Sequence, residues 1–234
     1  MSAPVTAIIG VGPGNGLSFA RRFAAGGHRI ALLSRSLNDL NASAEALEGE
    51  AMAAACDATQ PDSVAEALAT VESRFGPVDN LLYNAGSAAF GSVDQVDAET
   101  MEMAWRINTL GLFAAAKAVL PKMREKKAGS IIVTGATASL RGGARFAAFA
   151  QAKAAQRSLA QSLARQVGAD GVHVSIVIVD GIVDSERTRE RMPDVPADLR
   201  MNADYIAEAV WFLAHQAPSA WTFELDLRPS AEKW

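Results

Sequence analysis

Cysteine is almost missing from this chain, with Cys56 alone among 234 residues. One thiol excludes an intramolecular disulfide and any thiolate metal cluster, and it suits a reducing cytoplasm. Histidine is scarce too: His28, His173 and His215 stand far apart without the spacing of a metal site, so no metal is expected. Basic charge is in deficit, with 22 Lys and Arg against 26 Asp and Glu and a net charge of −4. Nucleic acids and anionic membranes are usually met with a basic excess, so neither is an expected partner. No apolar run approaches the roughly 20 residues of a membrane span, and Met1 to Pro4 lack the basic start of an export signal. A soluble, unexported, cytoplasmic protein is the expectation. Tyrosine is represented by Tyr83 and Tyr205 only.

What the chain does have is apolar residues, half of its length, enough to bury one sizeable core in a single domain over residues 1–234. Short β-branched runs alternate with longer Ala/Leu-rich segments of helical period, the pattern of repeated strand–helix units over a parallel sheet. Strands are expected at Val5–Gly10, Arg29–Ser34, Glu50–Ala55, Val78–Tyr83, Ser130–Gly135, Val172–Val179 and Thr222–Leu227. Helices are expected near Gly14–Ala25, Leu37–Leu47, Pro61–Phe75, Thr100–Lys126, Ala148–Gly168 and Ala203–Gln216. Ser130–Gly135 and Val172–Val179 are apolar on both faces, as central parallel strands covered on each side should be. The fold class is therefore α/β, a three-layer, doubly wound parallel sheet of about seven strands. From Asp184 to Asn202 the pattern dissolves into charges and two prolines, Pro193 and Pro196, which reads as a flap over a binding site or as a solvated loop.

The strand Val5–Ile9 runs straight into Gly10-Val11-Gly12-Pro13-Gly14-Asn15-Gly16, and a helical pattern follows with Leu17, Ala20 and Phe23 on one face. Glycines at such a junction let the backbone turn tightly and approach a pyrophosphate, whose charge is met by the amides and dipole of the helix N-terminus. This is the phosphate-binding end of a Rossmann-type dinucleotide domain. The second strand closes with Ser34-Arg35-Ser36, where an acidic residue would accept from a ribose 2′-hydroxyl. Arg35 there is either a solvated loop charge or the partner of a 2′-phosphate, and the second reading predicts NADP(H) in preference to NAD(H).

The spacing Gly10, Gly14, Gly16 resembles that of the short-chain dehydrogenase/reductase family, and the resemblance runs through almost the whole chain. Asn84-Ala85-Gly86 looks like the family's Asn-Ala-Gly motif, Asp57 like its adenine-contacting aspartate, and Asn108 like the asparagine that bends the long helix and holds a water near the active site. The resemblance also places Asn15, Leu17, Gly181 and Val183 against the dinucleotide. Family members carry Tyr-xxx-Lys at the start of the helix after the fifth strand, so that the lysine touches the nicotinamide ribose and lowers the pKa of a tyrosine that protonates substrate. Here the matching residues are Phe149 and Lys153, in a register supported by Ala152-Lys153-Ala154-Ala155. The family's serine lies thirteen positions before the tyrosine, at Ala136, with Thr137 beside it as a stand-in hydroxyl. Asp180-Gly181 stands where the family shows Pro-Gly and adds a carboxylate near the nicotinamide end.

Other residues are weighed alongside these. Arg141 and Arg145, ahead of Phe149, are either a site for an acidic substrate or solvated charges. Tyr205 reaches a substrate only if the flap folds over it. Trp105, Trp211, Trp221 and Trp234 form no stripe and are assigned to core or interface packing. The resemblance implies a homodimer or homotetramer through the helices Thr100–Lys126 and Ala148–Gly168, with Ala114–Ala116, Ala152, Ala154 and Ala155 permitting close approach. Two functional readings stand. One is an NADP(H)-dependent oxidoreductase on a small carbonyl or alcohol, with Lys153, Asn108 and Thr137 supporting hydride transfer. The other is a catalytically silent NADP(H)-binding sensor or scaffold.

Overall fold

The computed structural model describes residues 2–87 and 89–232; Met1 and Trp234, each given a reading above, lie outside them. In chain order the strands are β1 Val5–Ile9, β2 Arg29–Ser34, β3 Ala51–Ala55, β4 Asn80–Tyr83, β5 Gly129–Ala136, β6 Val172–Val179, β7 Ile182–Val183, β8 Arg200–Met201 and β9 Glu224–Leu227. The helices are α1 Asn15–Ala25, α2 Leu37–Glu45, α3 Pro61–Phe75, α4 Ala98–Trp105, α5 Gly111–Lys126, α6 Ala147–Val167, α7 Glu186–Arg191 and α8 Ala203–Ala214. Seven strands form one sheet in the order β3-β2-β1-β4-β5-β6-β9, every pair parallel.

The period-two alternation of a strand sends its residues to two separate cores. Ala7 and Ile9 of β1 and Val174, Ile176 and Ile178 of β6 pack against α3, α5 and α6. Ile8, Val177 and Val179 face the other way, onto Phe19 and Phe23 of α1 and Ile206 and Val210 of α8. Both faces are covered, which is why these strands read as continuous apolar runs. A fully buried side chain such as Phe19 or Phe23 contributes about 1.5–3 kcal/mol through the area it removes from water.

The expected long helix over 100–126 is interrupted. Arg106–Leu110 form a π-type turn between α4 and α5, and Asn108 sits inside it with Nδ2 donating to Ala104 O at 2.8 Å. Ala115, Ala116 and Ala152 are fully buried within the monomer. Their small size brings helices close to their own neighbours, while Ala154 on α6 is exposed and Ala155 half-buried. The segment 184–202 is more ordered than its composition implies. Ser185 caps α7 by accepting from Thr188 N, and β7 pairs with β8 in a small parallel ladder.

His28 is a core residue: Nδ1 lies 2.8 Å from Thr6 Oγ1 and the ring meets Phe23 and Trp211 edge-on. Burial, then the neighbouring His215, lowers its pKa to about 4. His173 stacks on Trp221 with centroids 4.8 Å apart. Among the described residues no cluster of His, Cys, Asp and Glu could hold a metal, and no helix is long and apolar enough to cross a membrane.

Candidate active site

Strand order reverses between β1 and β4, so the loops leaving their carboxyl ends diverge and open a crevice. A cleft of about 970 Å³ occupies this position. Gly10 sits at φ +91, a conformation that side chains resist, and an added Cβ would fall 2.3 Å from Ala85 N. Its amide donates to Leu33 O at 2.9 Å and its carbonyl accepts from Asn84 Nδ2 at 2.8 Å. The Asn84-Ala85-Gly86 segment thus pins the glycine loop to the neighbouring strand end. At Gly12 and Gly14 the opposite holds: an added Cβ meets nothing within 4 Å at the first, and only Val183 Cγ1 at 3.7 Å at the second. The first turn of α1 carries no side-chain cap and no acidic residue, leaving the Asn15 and Gly16 amides and the dipole for an anion. Asn15 Oδ1 is buried without a hydrogen-bond partner among the described residues.

Gly10, Gly14, Asn15 and Gly16 line the cleft, as do Asn84 and Gly86 from the β4 end. Thr137, Phe149, Gly181 and Val183 line it from the opposite side. Leu17, Arg35, Asp57, Ala85, Asn108 and Lys153 are not on its surface. Leu17 donates its amide to Gly12 O at 3.2 Å, inside the loop. Arg35 is exposed beyond β2 and has no hydrogen bond or ion pair among the described residues. Asp57 is bound locally, with Oδ1 accepting from Thr59 N at 2.9 Å and Thr59 Oγ1 at 2.8 Å. That carboxylate shapes the turn into α3 and keeps Oδ1 engaged there.

Lys153 and Asn108 stand directly behind Gly86. A Cβ placed on Gly86 would lie 3.3 Å from Asn108 Oδ1 and 3.6 Å from Lys153 Nζ. Lys153 is 5% exposed; its ammonium donates to Thr134 O at 2.7 Å and to Gln156 Oε1 at 3.0 Å. Gln156 Nε2 donates in turn to Asn108 O at 2.8 Å, which ties α6 to the π-type turn. Burial lowers the Lys153 pKa to about 7, because removing water disfavours the charged form. Asn108 Oδ1 is buried and has no partner among the described residues.

On the opposite wall Thr137 donates its hydroxyl proton to Asp180 Oδ1. Asp180 is buried, and Arg228 Nη1 lies 3.6 Å from its second oxygen. Ser139, the next hydroxyl along, is occupied instead with the Ala136 amide at 3.1 Å. Neither tyrosine reaches the cleft: Tyr83 is fully buried and donates to Ile107 O, and Tyr205 is 77% exposed on α8. Burial pushes the Tyr83 phenol far above its usual range.

Two aromatic rings and two arginines are among the cleft residues that the motifs do not mark. Phe90 and Phe146 form an edge-to-face cluster with Phe149, centroids 5.3–6.5 Å apart, and Arg187 and Arg191 line the cleft from α7. The phenylalanines lie in Gly/Ala-rich loops where no periodicity marks them. The arginines had a usable signal in Ser185-Glu186-Arg187-Thr188, a capping pattern that starts a helix.

A doubly wound parallel sheet with a glycine-lined crevice at its strand-order reversal, an open helix N-terminus and a buried lysine defines a dinucleotide-binding protein. The family model described as short chain dehydrogenase matches residues 4–196, and the chain belongs to that family of oxidoreductases. It is 31% identical over 207 residues to the inactive 2-(S)-hydroxypropyl-CoM dehydrogenase 2 of Xanthobacter autotrophicus, covering 83% of this chain and 90% of the relative. It is 29% identical to the 3-oxoacyl-(acyl-carrier-protein) reductase FabG of Escherichia coli, covering 90% and 89%. Among solved structures it is similar to an alcohol dehydrogenase of the archaeon Thermococcus sibiricus complexed with 5-hydroxy-NADP, with TM-score 0.88, 26% identity and 99% of each chain covered.

Proposed function

We propose that this chain is an NADP(H)-dependent oxidoreductase that interconverts a small carbonyl and its alcohol without the family's tyrosine, Phe149 standing at that position. The observation that carries the reading is Lys153. An amine held beneath the cleft wall at the expense of its hydration, with Asn108 beside it, is costly in a fold that only packs.

The residues present fit a dinucleotide. Gly12 and Gly14 leave room for a diphosphate over the Asn15 and Gly16 amides, and Arg35 is free among the described residues to pair with a 2′-phosphate. Gly181 and Val183 serve the nicotinamide end and Lys153 the ribose, while Asp57 keeps a carboxylate oxygen for the adenosine side. When bound, the dinucleotide supplies or accepts the hydride. Proton handling falls to the Thr137–Asp180 pair: in alcohol oxidation the Thr137 oxygen takes the substrate hydroxyl proton as its own passes to Asp180, and reduction runs the reverse. Arg228 holds the second Asp180 oxygen in place. A homodimer or homotetramer forms through α4, α5 and α6, where Met103, Trp105, Phe113 and Ala154 are exposed.

The second reading, a silent NADP(H)-binding protein, has one observation in its favour: among the described residues no tyrosine lines the cleft. Phe149→Tyr separates the two. Since a positioned general acid is worth about 10²–10⁴ in rate, the variant is expected to oxidise NADPH at least tenfold faster than the parent over a panel of ketones and aldehydes. A silent parent with no gain in the variant would leave the sensor reading standing.

A further inference from the structure

We propose that the substrate of this cleft is an amphiphilic anion. Arg141, Arg145, Arg187 and Arg191 hold its acidic group, a carboxylate, sulfonate or phosphate, and Phe90, Phe146 and Phe149 hold the apolar body that carries the carbonyl or alcohol. The inference deepens the oxidoreductase reading and rests on it for the reacting group, but the anion site is built from independent observations.

The first is charge. All four arginines line the cleft, and none has a hydrogen bond or ion pair to its guanidinium among the described residues. No aspartate or glutamate is among the described lining residues, although the chain as a whole is acidic at −4. The short helix α7 shows the sorting directly. Arg189 is neutralised by Asp184 through two hydrogen bonds of 2.7 and 2.8 Å, while Arg187 and Arg191, four residues apart on one helix face, turn to the cleft. All four side chains are exposed at the cleft rim with no counter-ion among the described residues, and guanidinium groups match carboxylate, sulfonate or phosphate oxygens in a planar, bidentate way.

The second observation is the apolar cluster beside them. Phe90 and Phe146 remain 55% and 40% exposed at the cleft mouth, an unusual place for edge-to-face rings unless something covers them. Arg145 precedes Phe146, and the Arg145 carbonyl accepts from Gly91 N at 2.8 Å, so the segments bearing cation and rings are fastened to each other. A ligand covering the rings thereby meets the arginines.

A matched pair of ketones tests this: 3-benzoylpropionate and butyrophenone share an aryl ketone and differ in the carboxylate. Calorimetric binding is measured on the wild type and on Arg141→Gln/Arg145→Gln and Arg187→Gln/Arg191→Gln proteins, with and without NADPH. Binding of the carboxylate at least tenfold tighter than of the neutral ketone, reduced to threefold or less in at least one double variant with NADPH affinity unchanged, is expected. Equal binding of the two ketones, no binding of either at millimolar concentration, or a preference that survives in both variants overturns the proposal. Loss of NADPH affinity in the variants assigns the arginines to the dinucleotide's phosphates and overturns it as well. Turnover is scored separately: selective binding without any NADPH oxidation leaves the anion site intact and removes the oxidoreductase reading.

Discussion

The glycine end of the cleft is shaped by main chain, and the rim around Phe149 is shaped by side chains. At the first end, Gly10 and Gly16 occupy positions where the backbone itself leaves no room for a side chain. A Cβ on Gly16 would lie 2.7 Å from Val11 Cα, and Gly10 is bonded to both neighbouring strand ends. At the rim, Phe90, Phe146, Arg187 and Arg191 come from three separate segments and meet only through tertiary packing. The contrast teaches where change is tolerated. Backbone-defined sites accept few substitutions because strain and clash are immediate, while a side-chain rim can be rebuilt residue by residue and so sets which ligand fits.

Gly10→Ala attacks the main-chain end and is expected to have the largest effect. The left-handed conformation and the approach to Ala85 together cost roughly 2–5 kcal/mol of stability, and NADPH binding should be lost. Chemical denaturation with a nucleotide titration checks both. Unchanged stability would show that the loop is looser than the clash at Ala85 requires.

Lys153→Met probes the boundary between the two ends. A lysine whose folded pKa is lowered to about 7 from about 10.4 unfolded binds fewer protons in the folded state across that interval. Folding stability therefore rises with pH between those values and falls as pH drops toward 7. Linkage gives a gain of about 2 kcal/mol from pH 7 to pH 9 in the parent, and the variant should lose that slope along with activity. Denaturation curves at the two pH values measure it, and an equal slope in both proteins would mean that Lys153 is not the titrating group.

Arg35→Ala is expected to be the mildest of the three, since the side chain is exposed and supports nothing else among the described residues. A charge-assisted contact of about 1.5–3 kcal/mol corresponds to at least a tenfold loss of NADPH affinity, with NADH affinity and stability unmoved.

Legibility follows the same division. Strand β2 is predicted and observed at Arg29–Ser34 and β6 at Val172–Val179, because strands buried on both faces are short apolar runs, β-branched in β6 and bounded by turn residues at Gly26-Gly27 and Gly171. The glycine loop was readable because glycine is the residue a tight strand-to-helix turn demands. Helix α7 and strand β8 were hidden in 184–202, where six helical residues and a two-residue strand are too short for a period to register. The aromatic and arginine rim was hidden for a different reason: its members share no spacing, and adjacency across loops is set by the packing of α6 and α7, not by local pattern. Asn108 carried a signal in its order along the chain, and the resemblance placed a bend in the long helix there, though not its form as a π-type turn.

Titration of the purified wild-type chain with NADPH and NADH, read by calorimetry, is the most direct measurement of the dinucleotide site on which the oxidoreductase reading depends. Saturable binding of NADPH at least tenfold tighter than of NADH is the expected result. Equal affinities would contradict the role of Arg35, and no binding of either nucleotide would contradict the site itself.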